Sequence, residues 1–224
     1  MIEILPLSLE DCPAVASAHV NFLNSPLKSE SGARILEYHY KSICRQDGAV
    51  GYIAKINGQF AGYVCGIWNP KALRRILVTH WPKLVFNTLQ HALKDPQFML
   101  YGIRKLLGIH NIIFNGIKNL PKVKQPVGNI ANLYELRPVV VLPKFRGQGI
   151  ADELVKRLLE DAHARGFNHV YLLTEEDNFP AIKFYTRFGF TFEKRVHLHA
   201  GTSYETYGKL FKYYLPKKNP DTTA

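Results

Sequence analysis

The run Arg146-Gly147-Gln148-Gly149-Ile150-Ala151 has the residue types and spacing to hold a phosphate group. It follows the β-branched segment Val139-Val140-Val141-Leu142 and opens a helical pattern that reaches Arg165. A helix that begins straight after a strand leaves its first N–H groups without partners, aligned with the positive end of the helix dipole. Glycine has no Cβ, so an anion can approach the backbone there. The run therefore predicts a cradle for the pyrophosphate of a nucleotide-like cofactor. Its spacing is neither the G-x-G-x-x-G dinucleotide fingerprint nor a P-loop ending in Gly-Lys-Ser/Thr. An ordinary tight strand-to-helix turn would use the same glycines, and the run alone leaves both readings open.

A second constellation lies downstream, after the strand pattern His169-Val170-Tyr171-Leu172-Leu173-Thr174. Asn178 is placed to cap a helix whose first turn holds Pro180, where a missing N–H costs little. Asn178, Ala181 and Tyr185 recur at three and four residues and so share a face of that helix. Phe184 and Phe188 form a neighbouring stripe, read as core.

Together the two stretches resemble the GNAT superfamily of acetyl-CoA-dependent N-acetyltransferases. The first is similar to that family's cofactor motif, with Pro143 three residues upstream. The second is similar to its Asn-x-x-Ala-x-x-x-Tyr helix followed by Gly-Phe, here Asn178, Ala181, Tyr185, Gly189 and Phe190. The close resemblance covers about Leu133 to Arg195.

The resemblance implies roles for named residues. Backbone groups of Val139, Val140 and Val141 are expected to bind the pantetheine arm, and an N–H there can face the thioester oxygen. Within the run Arg146 to Ala151, including Gly147, Gly149 and Ile150, amides from about Gln148 onward are expected to hold the pyrophosphate. Arg146 adds charge, and Asn178 touches the arm from the other side. Tyr185 is the candidate general acid for the departing thiolate, its rival reading being a core tyrosine. Glu135 is the candidate base. In regular alternation it shares a face with Arg137, Val139 and Val141, so a simple ion pair with Arg137 is an equal reading. An amine that arrives partly neutral needs no dedicated base. Arg137 is a second-rank candidate for acceptor contacts, and His197 and His199 are second choices for the base or for acceptor contacts, a surface role being as good an account of the histidines.

Those residues need a scaffold. Ile2 to Leu7 reads as a strand and Ser8-Leu9-Glu10-Asp11 as a capping-box-like helix start. Helical patterns run to about Asn24 and from Ser31 to about Gln46. Gly51–Ile56 and Gln59–Ile67 are strands joined by Asn57-Gly58, a strong hairpin signal. A long strand from Ile130 to Val141 leads to the cradle, and Pro138 within it, unable to donate to a ladder, predicts a bulge or splay. Thr191–His199 and Tyr204–Tyr214 read as a last hairpin. The expected fold is α/β: a GNAT-like mixed, mostly antiparallel central sheet flanked by helices. It forms a single domain over residues 1–215, with a polar tail at 216–224 expected to be disordered.

Residues 70–128 stand outside that plan as a basic helical insertion broken by Pro70, Pro82 and Pro96. Ten Lys and Arg residues face Asp95 alone, a net of +9 within a chain of 224 residues whose formal charge is +11. Basic and apolar residues without acids suit an anionic acceptor or peripheral contact with an anionic membrane through residues 70–126. A helical lid with a solvated positive rim is the plainer reading. No nucleic-acid motif accompanies the charge, so nucleic acid is not expected. Cys12, Cys44 and Cys65 are too few and too far apart for a disulfide framework or metal site. With no signal peptide or long apolar run, a cytoplasmic protein is expected, or one peripheral at the inner face of the membrane.

The reading reached from sequence is transfer of acetyl from acetyl-CoA, as co-substrate without metal, to a primary amine by direct attack in a ternary complex. The acceptor it favours is an anionic aminosugar, nucleotide- or lipid-linked. The alternatives are a protein or peptide amine, or a non-catalytic acyl-CoA-binding module. Oligomeric state is not readable from the sequence; the resemblance leaves room for a homodimer paired through the C-terminal strands.

Overall fold

The computed structural model describes residues 1–23, 30–69, 133–198 and 206–216. The basic insertion, His199, the turn of the last hairpin and most of the tail lie outside the described residues. The chain divides into two compact units, one holding Met1–Pro6, Ala49–Trp68 and Asn129–Ala224, the other Leu7–Gly48 and Asn69–Gly128.

The first unit is built on a seven-stranded sheet. Its strands are β1 (Ile2–Pro6), β2 (Ala49–Ile56), β3 (Gln59–Ile67), β4 (Tyr134–Val141), β5 (His169–Glu175), β6 (Thr191–Leu198) and β7 (Thr206–Tyr214). They lie in the order β1-β2-β3-β4-β5-β7-β6. Every neighbouring pair is antiparallel except β4 and β5. The sheet is thus mixed and mostly antiparallel, as the sequence predicts. The β2–β3 hairpin turns through Asn57 (φ 50°) and Gly58 (φ 74°), the two positive φ values of a type I′ turn.

Two helices of this unit pack on the sheet's core. On α3 (Ile150–Ala164), Ile150, Leu154, Val155, Leu158, Leu159 and Ala162 recur at helical spacing and are buried. They meet Tyr52, Ala54, Val64, Tyr134, Leu136, Val170, Leu172 and Phe211 of the sheet. Each fully buried aliphatic side chain in this layer contributes about 1.5–3 kcal/mol. Gly166 (φ 83°) ends the helix, with Gly166 N–H donating to His163 O and Phe167 N–H to Ala162 O, both at 3.0 Å. This pair of bonds satisfies carbonyls that the helix would otherwise leave open. On α4 (Phe179–Phe188), Gly189 and Phe190 close the C-terminus in the same way on Thr186 O and Tyr185 O.

The second unit contains α1 (Cys12–Phe22) and α2 (Glu30–Arg45), which pack on each other. Leu36, Tyr40 and Ile43 recur on the buried stripe of α2. The sequence places the start of α1 at Ser8, but the helix begins at Cys12. The Asp11 carboxylate accepts from Ser8 N (3.3 Å) and Ser8 Oγ (2.5 Å), which holds residues 8–11 as a turn. Pro13 then occupies the first helical turn, where its fixed φ is suited. Among the described residues no helix is long and apolar enough to cross a membrane.

Candidate active site

The site is organised by the place where β4 leaves β5. The two strands pair only at Tyr134↔Val170 and Glu135↔Tyr171. Beyond Glu135, β4 continues along β3 while β5 pairs with β7 through Glu175↔Gly208. Residues 136–141 thus have no β5 partner in the ladder, and the strands splay.

A bulge lies in the same stretch. The β3–β4 register runs Cys65↔Arg137 and then Tyr63↔Val140, so Val64 stands opposite both Pro138 and Val139. This corrects the regular alternation assumed from sequence. Val140, not Val139 or Val141, shares the face of Glu135 and Arg137. Val139 and Val141 turn to the other face and pack against the α3 core. The bulge also orients the backbone. Leu142 N–H donates to Ala61 O at 2.9 Å, so Tyr63 and Val140 are a hydrogen-bonded pair and Gly62 and Val141 are not. The amide and carbonyl of Val141 therefore point away from β3, toward the splay.

The cradle follows directly. A 3₁₀ turn at Pro143–Phe145 leads to Arg146, whose Nε donates to Val141 O at 3.2 Å, so the guanidinium stays at the end of β4. Gly147 (φ 77°) and Gly149 (φ 79°) are both left-handed, a conformation L side chains rarely adopt. A Cβ at either would meet nothing within 4 Å, so the backbone of the turn borders open space. Gly149 caps α3 without any side-chain hydrogen bond to the helix, and Glu153 N–H is the amide that turns inward, to Gly149 O at 3.1 Å. The amides before it, Ile150 to Asp152, keep their outward aim and the dipole behind them. These features fit the pyrophosphate and pantetheine of an acyl-CoA.

Asn178 caps α4, its Oδ1 accepting from Ala181 N–H at 3.2 Å, as predicted. Arg187, in the last turn of α4, pairs with Asp152 in the first turn of α3 at 2.7 Å and ties the two helices together. Tyr185 is buried between Phe184 and Phe190, with ring centroids 5.1 and 5.5 Å away. Burial pushes its phenol above the ordinary tyrosine range, so it is protonated at neutral pH. Tyr185, Val139 and Val141 belong to the α3 side of the sheet.

Glu135 lies on the opposite face, since Tyr134 and Leu136 on either side of it belong to the α3 core. It is buried and gripped by Arg137, with Nη2···Oε2 at 3.0 Å and Nε···Oε1 at 2.9 Å. Tyr171 is its partner across the last β4–β5 pair. Burial first, then the Glu135 charge, hold the Tyr171 phenol above its ordinary range. Tyr171 went unread in the sequence because parallel register is set by tertiary pairing. The one local signal is its place between the core residues Val170 and Leu172. His197, by contrast, is not brought to Glu135. It lies exposed on the sheet-edge strand β6, 4.8 Å from the Tyr207 ring, on the face of Phe211. Among the described residues no group of three His, Cys, Asp or Glu side chains is placed to hold a metal ion.

Comparison with known proteins agrees with this geometry. The family described as "Acetyltransferase (GNAT) family" matches residues 119–190, which include the splay, cradle and α4. An uncharacterised N-acetyltransferase of Methanocaldococcus jannaschii is 32% identical over 116 residues, 52% of this chain and 47% of that protein. The N-alpha-acetyltransferase 30 of Schizosaccharomyces pombe is 39% identical over 59 residues, 26% of this chain and 39% of that protein. The chain thus spans less than half the length of these curated relatives. Among solved structures, Arabidopsis thaliana NAA60 in complex with acetyl-CoA superposes with a TM-score of 0.57 at 16% identity, covering 96% of this chain and 99% of that one. At that identity the likeness is one of fold.

Proposed function

We propose that the chain is an acetyltransferase of the GNAT superfamily, the family whose model matches residues 119–190, and that it moves acetyl from acetyl-CoA to a primary amine by direct attack in a ternary complex. The observation that carries the reading is the splay of β4 from β5 running through two left-handed glycines into the start of α3. Acetyl-CoA supplies the thioester carbonyl that the amine attacks. The chain binds it with Val141's backbone, Arg146 and the amides of Gln148 to Ala151, with Asn178 on the other side. Tyr185, held protonated by burial and in the core cluster with α3, Val139 and Val141, is the group assigned to give a proton to the departing thiolate. Glu135, on the other side with Arg137 and Tyr171, is the group suited to receive one from the amine.

Two acceptors have separate support. The charge of residues 70–128 favours an anionic aminosugar, nucleotide- or lipid-linked. The name of the fission-yeast relative favours a peptide or protein α-amine. The deciding experiment follows CoA release from acetyl-CoA with nucleotide-linked aminosugars and with short peptides of free N-terminus. Turnover above hydrolysis with either class supports the enzyme and names its acceptor. Acetyl-CoA binding without turnover on any amine would leave an acyl-CoA-binding module.

A further inference from the structure

The second compact unit holds a close pair of thiols that the proposed reaction does not use. Cys12 opens α1 and Cys44 lies in the last turn of α2, and their Sγ atoms are 3.7 Å apart. Both are free cysteines. Cys12 is wholly buried, and its thiol can donate either to Ser8 O, 3.3 Å away, or to the Cys44 sulfur. Cys44 is half-buried, with its thiol donating to Leu7 O at 3.4 Å. The two sulfurs therefore face each other from helix ends brought together by the α1–α2 packing, although 32 residues separate them in sequence.

We propose that Cys12 and Cys44 form an oxidative modification site, at which hydrogen peroxide converts the two thiols into an intramolecular disulfide joining α1 to α2. Cys44 is the sulfur that a small oxidant reaches. Its thiol is held below the ordinary range chiefly by the hydrogen bond from Cys12, with help from Arg45 and against burial and Asp11. The bond to Cys44 and burial push the Cys12 thiol up, so Cys12 stays protonated until Cys44 has reacted. The thiolate is the form that attacks.

The step balances. The Cys44 thiolate attacks a peroxide oxygen, an S–O bond forms and the O–O bond breaks, and the departing hydroxide takes a proton to leave as water. The Cys12 sulfur then displaces the hydroxyl of the Cys44 sulfenic acid. The S–S bond forms, and the hydroxyl leaves with the Cys12 proton as a second water. Two thiols are oxidised by two electrons and one peroxide is reduced. The sulfurs must close by about 1.7 Å to reach a disulfide length, which side-chain rotation at two helix ends can supply. In a reducing compartment the resting pair is the dithiol.

The test treats the folded, full-length chain with stoichiometric hydrogen peroxide, denatures it, counts thiols and maps peptides without reduction. The expected result is a fall from three titratable thiols to one, a Cys12 peptide linked to a Cys44 peptide, and full recovery with dithiothreitol. In Cys12→Ser the same treatment should leave Cys44 as a sulfenic acid that a cyclic 1,3-dione traps. If that variant does not fold, the wild-type peptide map still decides. Three surviving thiols, consumption of Cys65 ahead of the pair, or crosslinks between molecules would each overturn the proposal. None of these readouts depends on acetyl transfer.

Discussion

Glu135 and Arg137 hold each other at two points, 2.9 and 3.0 Å apart, on the last residue of β4 that still pairs with β5. The pair sits where the sheet opens, so it can serve as a hinge-side brace, as a base, or as both. Glu135→Gln separates these roles, because the amide keeps the shape and loses the basicity. As a base, Glu135 contributes about 10²–10⁴-fold to rate. The expected outcome is a loss of kcat in that range with an unchanged Kd for acetyl-CoA by calorimetry. A variant that retains kcat within about threefold of wild type would leave the carboxylate with a purely bracing role.

Tyr185→Phe removes one oxygen and keeps the packing against Phe184 and Phe190. The expected result is a fall in kcat of about a hundredfold or more with unchanged acetyl-CoA affinity. The phenol's native pKa is raised above its unfolded value near 10, so its contribution to stability is fully present below about pH 10 and is lost as pH rises from there through the native pKa. Activity that depends on Tyr185 should therefore hold across neutral pH, and only an alkaline limb of a kcat–pH profile can belong to it. An unchanged kcat in Tyr185→Phe would return the residue to the core.

The parts of this arrangement visible in sequence are those decided within a few residues. Asn57-Gly58, Gly166 and the Asn178 cap announce themselves because positive φ and a short side-chain bond are local demands. Pro138 announces the bulge because a missing ladder N–H is equally local. Which valine faces which side is not local, since it depends on Val64 of a strand far earlier in the chain. Tyr171 is hidden likewise, because its meeting with Glu135 is a parallel register created by the α3 crossover. Ser8 misleads as a helix start because its bond with Asp11 forms a turn instead.

Gly149→Ala tests the cradle, with Gly166→Ala as its partner. Both glycines are left-handed, at φ 79° and 83°, and a Cβ at either meets nothing within 4 Å. Each substitution should cost about 1–2 kcal/mol of conformational strain, read as similar shifts in Tm. Only Gly149 lies at the N-terminus of α3, so only its variant should weaken acetyl-CoA, by about tenfold if roughly 1.4 kcal/mol of strain is relieved on leaving the binding geometry. Equal affinities in the two variants would reduce the motif to a turn.

Asp161 anchors the far end of α3. Its carboxylate accepts from Tyr134 Oη at 2.9 Å, Tyr52 Oη at 3.2 Å and Arg165 Nε at 2.7 Å, while Arg165 lies 4.0 Å over Trp68. Asp161→Ala strands two buried hydroxyls and a cation, so it should destabilise by about 2–4 kcal/mol. Acetyl-CoA affinity should be unchanged, because the cradle is at the opposite end of the helix. Urea unfolding beside calorimetry checks both halves, and loss of affinity without loss of stability would contradict this division of labour.

His19 gives the second unit an acid limit. Its Nδ1 lies 2.7 Å from Tyr40 Oη, and burial lowers its pKa to about 4 from the ordinary 6.5. Above pH 6.5 the ring is neutral in both folded and unfolded chains, and its ionisation takes nothing from stability. As pH falls from 6.5 toward 4, the unfolded chain takes up a proton that the native ring refuses, so stability is progressively lost across that window. Urea midpoints of the wild type measured from pH 7.5 down to 4.5 should therefore slope downward. His19→Gln keeps a hydrogen-bonding side chain beside Tyr40 and cannot titrate, so its slope should be shallower. Parallel slopes for the two proteins would assign the acid sensitivity to carboxylates elsewhere.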